Sequence, residues 1–262
     1  YGCDPRLVFL GTKSSARRLF REEGVTHPLG REDLATEDDL VDAIVAMRRE
    51  RPGLKRVVIK VNEGVSGTGN ANLDVTQLPA PGSAREREAV RALLPSMRFE
   101  LASLAYEVFL EKLAEQQGIV EERIEAEEIR SPSVQLRVTP LGDVELLSTH
   151  DQMLGGPTGQ SYLGCRFPAD EAYAATISRE AKKIGDRLAK EGVLGRFALD
   201  FVVARTQGGP WHPYAIEINL RKGGTTHPFL TLQFLTDGTY DPDAAVFTAP
   251  GGRRKHFVAS DH

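Results

Sequence analysis

The sequence contains few cysteines and no long hydrophobic segment. Its two cysteines, Cys3 and Cys165, lie far apart and lack the close spacing of a metal-binding cluster. A chain of 262 residues with 40% hydrophobic content can bury a core without disulfides, so both are predicted to be free thiols. No apolar run reaches the roughly 18 residues that span a bilayer, and no signal-peptide pattern opens the chain. These absences predict a cytoplasmic protein that does not bind membranes.

The chain also lacks an excess of either charge. Its formal net charge is −4, with 33 basic and 37 acidic residues. This balance gives no general attraction to nucleic acid or to an anionic membrane, so neither is expected as a partner. The first residue is Tyr1 rather than methionine, and the sequence stops after "FVASDH" without an evident closing element. We therefore expect a piece of a longer protein.

Hydrophobic patterns in the first half predict a small α+β lobe over residues 1–122. Thr36 is a predicted N-cap, because acidic residues follow it and Leu40 and Ile44 then recur at helical spacing. A stripe of apolar residues predicts a long helix through 99–118. The other predicted elements are a short buried strand at 6–11, a helix at 12–24, and strands at 55–62 and 71–75.

The second half predicts a larger lobe over residues 123–262, built mostly from antiparallel sheet. Leu141-Gly142-Asp143 is typical of a hairpin turn between two strands. The predicted helix spans about 170–191, and the predicted strands are 120–129, 134–140, 143–150, 160–167, 196–204 and 213–220. The predicted fold class is therefore α+β with two lobes.

A lysine followed by a glycine-rich loop is the first candidate for chemistry. In "RVVIKVNEGVSGTGNANL", Lys60 lies near the end of a predicted strand, and glycines, Ser66 and Thr68 follow it. Glycines let backbone amides approach phosphate oxygens, and the lysine adds a positive charge. The spacing matches neither the P-loop nor the Rossmann motif. A glycine-rich hairpin with a solvated lysine is the alternative.

A second candidate lies on two late strands. "FALDFVVA" and "YAIEINLR" carry Asp200, Glu217, Asn219 and Arg221, and the last three are two residues apart, so they project from one face of a strand. Two carboxylates and an amide oxygen form a ligand set that suits Mg²⁺. The arginine then lies where it could hold a phosphoryl group. The alternative is a polar strand face that is exposed to solvent.

Taken in order, these segments resemble a known family. The lysine strand, the glycine loop, an acidic strand, "D-F-V" and finally "E-I-N-x-R" occur in the sequence of the ATP-grasp superfamily. The likeness extends over nearly the whole chain and is closest to the ATP-grasp peptide ligases of the pheganomycin biosynthetic type. The segment "LGTKSSARRLFREEGVTHPLG" is similar to the one that carries a first nucleotide-binding lysine, which is Lys13 in this sequence.

The resemblance implies a nucleotide clamped between two α+β lobes. Residues 127–129 match the hinge that contacts adenine, namely Glu127, Glu128 and Ile129. The remaining residues implied at the nucleotide are Lys13, Lys60, Glu63, Gly64, Ser66, Gly67, Thr68, Gly69 and Asn70. The segment "RSPSVQ" lacks the family's ribose-binding pattern, so the ribose contact stays unassigned. Residues 121–125 are interpreted as a solvated edge strand.

The same resemblance implies ATP-dependent joining of a carboxylate to an amine. The implied cofactors are ATP and Mg²⁺, with Mn²⁺ as a possible substitute. The implied metal ligands are Asp200, Glu217 and Asn219. Lys60 and Arg221 are the implied catalytic residues, since they offset repulsion between the carboxylate and the triphosphate. The alternatives are a phosphotransferase and a non-catalytic ATP-binding module. Homo-oligomerisation is left open, and weaker candidates for the substrate pocket are His227 and His150-Asp151-Gln152.

Overall fold

The computed structural model describes residues 4–64 and 69–260. A single-turn 3₁₀ segment lies at Leu94–Ser96, and a longer one at Pro5–Gly11. The α-helices are α1 Lys13–Glu22, α2 Glu37–Glu50, α3 Glu86–Leu93, α4 Tyr106–Gln116, α5 Glu171–Lys190 and α6 Thr226–Thr236. The first strands are β1 Gly30–Leu34, β2 Arg56–Val61, β3 Asn70–Asp74, β4 Arg98–Phe99 and β5 Gly118–Glu122. The later strands are β6 Glu128–Arg130, β7 Pro132–Val138, β8 Val144–Gly155, β9 Ser161–Phe167, β10 Gly195–Arg205, β11 His212–Asn219, β12 Thr239–Asp241, β13 Val246–Ala249, β14 Arg253–Lys255 and β15 Phe257–Ser260.

The chain divides into two compact units. The small unit comprises Pro28–Ile124 and Gly155–Ser161, and the large unit comprises Tyr1–His27, Glu125–Leu154 and Tyr162–His262. The chain thus passes between the units after residues 27, 124, 154 and 161. The predicted grouping of residues 1–27 with the small lobe differs from the structure, because α1 packs against β11 of the large unit.

The small unit is a five-stranded antiparallel sheet with α2 and α4 packed on it. The strand order is β1-β5-β2-β3-β4, so β5 is an interior strand. Helix α2 forms where the sequence predicts it, and Leu40, Ile44 and Met47 are buried on its inner face. Its amino end is a capping box, in which Thr36 Oγ1 accepts from the Asp39 amide at 3.1 Å and Asp39 Oδ2 accepts from the Thr36 amide at 2.9 Å.

We expect Thr36→Ala to lower the free energy of unfolding by about 1 kcal/mol, because it leaves an amide of the first turn without its side-chain acceptor. Denaturant unfolding followed by circular dichroism measures this change. Thr206→Ala, in an exposed turn of the large unit, is the matched control and should leave stability almost unchanged. Equal unfolding midpoints for the Thr36 variant and the wild type would show that the capping box contributes nothing.

The large unit is built on a seven-stranded sheet whose two faces differ in character. Its main path is β11-β10-β7-β8-β9-β15, and β6 also pairs with β10. Side chains that alternate toward α5 form the apolar core, among them Val134, Leu136 and Leu199. The residues between them, such as Ser133 and Asp200, therefore point to the opposite face. That polar face carries the residues on which the sequence predicts a metal site.

Three predictions of secondary structure are wrong. The strand predicted at 120–129 is interrupted, because β5 ends at Glu122 and β6 begins at Glu128. Residues 6–11 form a 3₁₀ segment rather than a buried strand, since Asp4 caps Pro5–Gly11 and only Leu10 of its apolar residues is buried. The long helix predicted through 99–118 begins only at Tyr106. Residues 98–99 pair with β3, and Gly118 already belongs to β5. Between the strand at 98–99 and the helix, residues 101–104 form a turn in which the Leu104 amide donates to the Leu101 carbonyl at 2.9 Å.

Two expectations drawn from absences can be compared with the described part of the chain. Cys165 is buried and forms no disulfide bond with another described residue, and Cys3 lies outside the described residues. None of the helices within residues 4–64 and 69–260 is long and apolar enough to cross a bilayer.

Candidate active site

Two carboxylates face each other across neighbouring strands of the large unit. Asp200 on β10 is paired directly with Glu217 on β11, so their side chains share one face of the sheet. The register shifts immediately beyond this pair, where Phe201 is opposite Ala215 and Ile216 is the extra residue. A bulge at this point bends the strand beside the two acids. Like charges placed opposite each other are unfavourable unless a cation lies near them.

Asn219 lies between the two acids. Its Nδ2 donates to Asp200 Oδ2 at 3.0 Å and to Glu217 Oε1 at 3.3 Å. Although Asp200 is partly exposed, burial of its carboxyl group and then the charge of Glu217 raise its pKa well above the usual range. The predicted trio of Asp200, Glu217 and Asn219 is therefore brought together.

Two predicted cations lie beside the same trio. Lys13 is the first residue of α1, is 6% exposed, and its Nζ is 3.9 Å from Glu217 Oε2. The exposed Arg221 donates from Nη2 to Asn219 Oδ1 at 3.4 Å. Helix α1 packs against β11, which explains how a residue near the amino terminus reaches a site formed late in the chain. Five predicted residues thus converge within the large unit.

The donor set fits a hard divalent cation. Asp200 and Glu217 supply carboxylate oxygens, and a half-turn of the Asn219 amide would exchange its nitrogen for its oxygen. Among the described residues, no group of three or more His, Cys, Asp or Glu side chains could hold a metal ion. Two acids and an amide suit Mg²⁺, which commonly combines one or two carboxylates with substrate phosphates. An ion here would offset the repulsion between the acids and polarise phosphate oxygens.

The predicted phosphate-binding lysine of the small unit has a buried acidic partner. Lys60 on β2 is 5% exposed, and its Nζ donates to Glu121 on the adjacent strand β5. The interpretation of Glu121 as part of a solvated edge strand is wrong, because β5 lies between β1 and β2 and Glu121 is 3% exposed. A buried ion pair fixes the direction of the ammonium group more firmly than a solvated lysine would be held. Sequence reasoning missed this partner.

The loop after Lys60 is described only in part. Ser66, Gly67 and Thr68 lie outside the described residues. Glu63 and Gly64 are exposed, whereas Gly69 and Asn70 are buried at the start of β3. Close packing explains why residue 69 is a glycine, since a Cβ there would lie 2.3 Å from Val61 Cγ2. The side-chain amide nitrogen of Asn70, Nδ2, donates to Gln160 Oε1 at 2.7 Å.

The predicted hinge residues lie just inside the large unit. Residues 128–130 form β6, which pairs with β10 at Val203–Arg205. Glu128 accepts two hydrogen bonds from Arg205, at 2.8 and 2.9 Å, and Arg205 lowers the pKa of that carboxyl. Glu127 Oε2 accepts from the amide of Gln207 at 2.7 Å, and Ile129 is 37% exposed. Both acidic side chains are thus engaged within the protein.

Comparison with known proteins identifies the family. The IQCH-like ATP-grasp family model matches residues 7–92 and 102–243, which include every residue of the converging set. The chain belongs to the IQCH-like ATP-grasp family. It is 33% identical over 244 residues to the L-propargylglycine–L-glutamate ligase of Streptantibioticus cattleyicolor, covering 92% of this chain and 47% of the ligase. The chain therefore spans about half the length of that relative.

Solved structures confirm the α+β ATP-grasp fold. The biotin carboxylase–βγ-ATP complex from Campylobacter jejuni has a TM-score of 0.62 at 18% identity, covering 90% of this chain and 45% of that chain. The biotin carboxylase domain of Hydrogenobacter thermophilus 2-oxoglutarate carboxylase, with MgADP, has a TM-score of 0.61 at 16% identity, covering 93% and 46%. The ATP-grasp resemblance inferred from the order of the motifs is confirmed.

Proposed function

We propose that this protein is an ATP-dependent carboxylate–amine ligase that forms an amide or peptide bond through an acyl phosphate. The observation that carries the proposal is the convergence of Lys13, Asp200, Glu217, Asn219 and Arg221 in a chain of the ATP-grasp family. The similarity to a ligase at 33% identity supports the same reaction class.

The charges suit an attack of one anion on another. In the proposed first step, a substrate carboxylate oxygen bonds to the γ-phosphorus of ATP, the bond to the β-γ bridging oxygen breaks, and ADP leaves. Lys13 and Arg221 would offset the negative charge on the transferring phosphoryl group. Mg²⁺, or Mn²⁺ in its place, held by Asp200 and Glu217 would supply further charge neutralisation. An amine then displaces phosphate from the acyl carbon and the amide forms.

The small unit would supply the remaining nucleotide contacts. Lys60, directed by Glu121, would hold a phosphate. Backbone groups of Glu127, Glu128 and Ile129 would meet adenine. The proposed metal ligands all lie in the large unit.

Amino acids or peptides are the proposed substrates on both sides of the new bond. The relative from Streptantibioticus cattleyicolor is named for two amino acids, and its identity to this chain extends over nearly all of the chain. An amino-acid carboxylate as acceptor of the phosphoryl group and an amino-acid or peptide amine as nucleophile therefore form the first substrate pair to test. Whether two copies of the chain associate has no bearing on this chemistry.

Mass spectrometry of the reaction products tests the proposal. The full-length protein is incubated with Mg-ATP and pooled amino acids, beginning with L-glutamate and L-propargylglycine. The expected products are ADP, phosphate and a compound whose mass is the sum of two substrates less one water. A stable phosphorylated product would instead indicate a phosphotransferase. Binding of Mg-ATP without turnover would indicate a non-catalytic module. Either of those results would contradict the ligase.

A further inference from the structure

A glutamine on another strand holds one oxygen of Asp200. Gln152 lies on β8, and its Nε2 donates to Asp200 Oδ1 at 2.8 Å. The other oxygen, Oδ2, accepts from Asn219 at 3.0 Å. The two oxygens of one carboxylate are therefore held by different amides. Gln152 bonds only the oxygen that Asn219 does not reach.

The backbone around Gln152 is held firmly enough to direct its side chain. Its own amide donates to the carbonyl of Ser131 at 3.0 Å. The preceding residue, Asp151, accepts from the Tyr173 hydroxyl at 2.6 Å and from the Asp170 amide at 3.0 Å. These bonds hold Asp151 and Gln152, two consecutive residues of β8, in place. The side-chain amide of Gln152 therefore reaches Asp200 from a strand whose backbone is held in place.

We propose that Gln152 is a positioning residue that makes Asp200 a one-oxygen metal ligand and thereby favours Mg²⁺ over Ca²⁺. The inference rests on the proposed function, because it assumes that a cation binds at Asp200 and Glu217. With Oδ1 engaged by Gln152, only Oδ2 remains for the ion once the Asn219 amide has turned its oxygen inward. A carboxylate restrained in this way does not readily offer both oxygens to one ion.

Selection between the two ions follows from their coordination. Mg²⁺ requires nearly octahedral geometry with short bonds, so it accepts one oxygen from each carboxylate. Ca²⁺ takes six to eight oxygens and readily binds both oxygens of one carboxylate. The Ser133 side chain also hydrogen-bonds the Asp200 carboxyl and would remain in a Gln152 variant. Loss of the Gln152 amide would remove its hydrogen bond to Oδ1, so that Asp200 could rotate more readily and bind through both oxygens. The change should therefore weaken Mg²⁺ binding more than Ca²⁺ binding.

The test measures metal binding directly. Full-length wild type and Gln152→Met are titrated with Mn²⁺, followed by electron paramagnetic resonance, with protein in excess over a non-hydrolysable ATP analogue, and Mn²⁺ binding by the analogue alone is subtracted. Mg²⁺ and Ca²⁺ are then added as competitors. We expect Gln152→Met to weaken Mg²⁺ binding about tenfold, as typical for residues that orient metal ligands, and Ca²⁺ binding by less than about threefold. Gln233→Met, a partly buried glutamine on α6, is the matched control and should change neither.

The outcomes separate this inference from the proposed function. If Glu217→Gln abolishes Mn²⁺ binding but Gln152→Met leaves the ratio of Mg²⁺ to Ca²⁺ affinity within twofold of wild type, the role of Gln152 is refuted and the metal site stands. If Glu217→Gln leaves Mn²⁺ binding intact, the metal site and both proposals fall. If Gln152→Met does not fold, Gln152→Asn replaces it in the test. Its side chain is one methylene shorter and is not expected to reach Asp200, so the same loss of Mg²⁺ affinity relative to Ca²⁺ is expected.

Discussion

Replacing Glu217 by glutamine is expected to reduce ADP formation by about 10³-fold or more, because it removes one of two carboxylates that would hold the catalytic cation. Glutamine keeps the size of the side chain and an oxygen near Asn219. It removes the charge that faces Asp200 and the ion pair with Lys13. The rate of ADP release with saturating substrates measures the effect.

A surface variant shows whether the loss at Glu217 is specific. Glu180→Gln removes a carboxylate of α5 that pairs with Lys183 at the surface, where such pairs contribute little. Its rate of ADP formation should stay within about twofold of wild type, because the residue lies outside the site. Comparable loss of turnover in both variants, or near-normal turnover in Glu217→Gln, would contradict the assignment of Glu217.

Acid is expected to destabilise the protein through a single buried histidine. His150 is fully buried, and its two ring nitrogens have no hydrogen-bond partner among the described residues. Its ring centroid lies 5.2 Å from that of Phe167 and 5.9 Å from that of Phe257. Burial lowers its pKa from 6.5 to about 3, because the charged ring cannot be solvated there.

The direction of the effect follows from proton binding. The unfolded chain protonates this ring near pH 6.5, whereas the folded chain leaves it neutral until about pH 3. The contribution of His150 to the free energy of unfolding is therefore complete above pH 6.5. It falls by about 1.4 kcal/mol per pH unit below that value. Between pH 6.5 and pH 4.5 the expected loss is about 2 kcal/mol, because half of the unfolded chains already carry the proton at pH 6.5.

A difference measurement separates His150 from the other titrating groups. Denaturant unfolding of wild type and His150→Leu is compared at pH 6.5 and pH 4.5. The stability of the variant relative to wild type should increase by about 2 kcal/mol as the pH falls. His212→Leu, at an exposed position, should give no such change. A constant difference between wild type and His150→Leu would mean that the folded protein protonates the ring as readily as the unfolded chain does, which would contradict the lowered pKa.

The sequence predicts elements well where local signals are strong. Helix α2 has a capping threonine and regular apolar spacing, and it forms where expected because both signals are local. The convergence of Asp200, Glu217 and Asn219 was also predictable, since Glu217 and Asn219 are two apart on a strand and Asp200 lies in the strand before it. Their direct pairing across β10 and β11 needs only a hairpin between consecutive strands.

What the sequence did not predict depends on contacts between distant segments. Glu121 looked like a solvated residue because its acidic neighbours suggest an edge strand. The structure buries it instead, since β1 pairs with β5 from far away in the chain. Gln152 carried no local sign of its bond to Asp200, which joins residues on strands that are not adjacent. Local patterns contain no information about such registers.

Transfer of a labelled oxygen tests the proposed acyl phosphate most directly. A substrate acid with ¹⁸O in its carboxylate, beginning with L-glutamate, is incubated with Mg-ATP, an amine and the full-length protein, and the released phosphate is analysed by mass spectrometry. The proposed mechanism predicts one ¹⁸O in each phosphate, because the carboxylate oxygen bonded to phosphorus leaves with it. Phosphate released at the same rate as the amide but without ¹⁸O would contradict it.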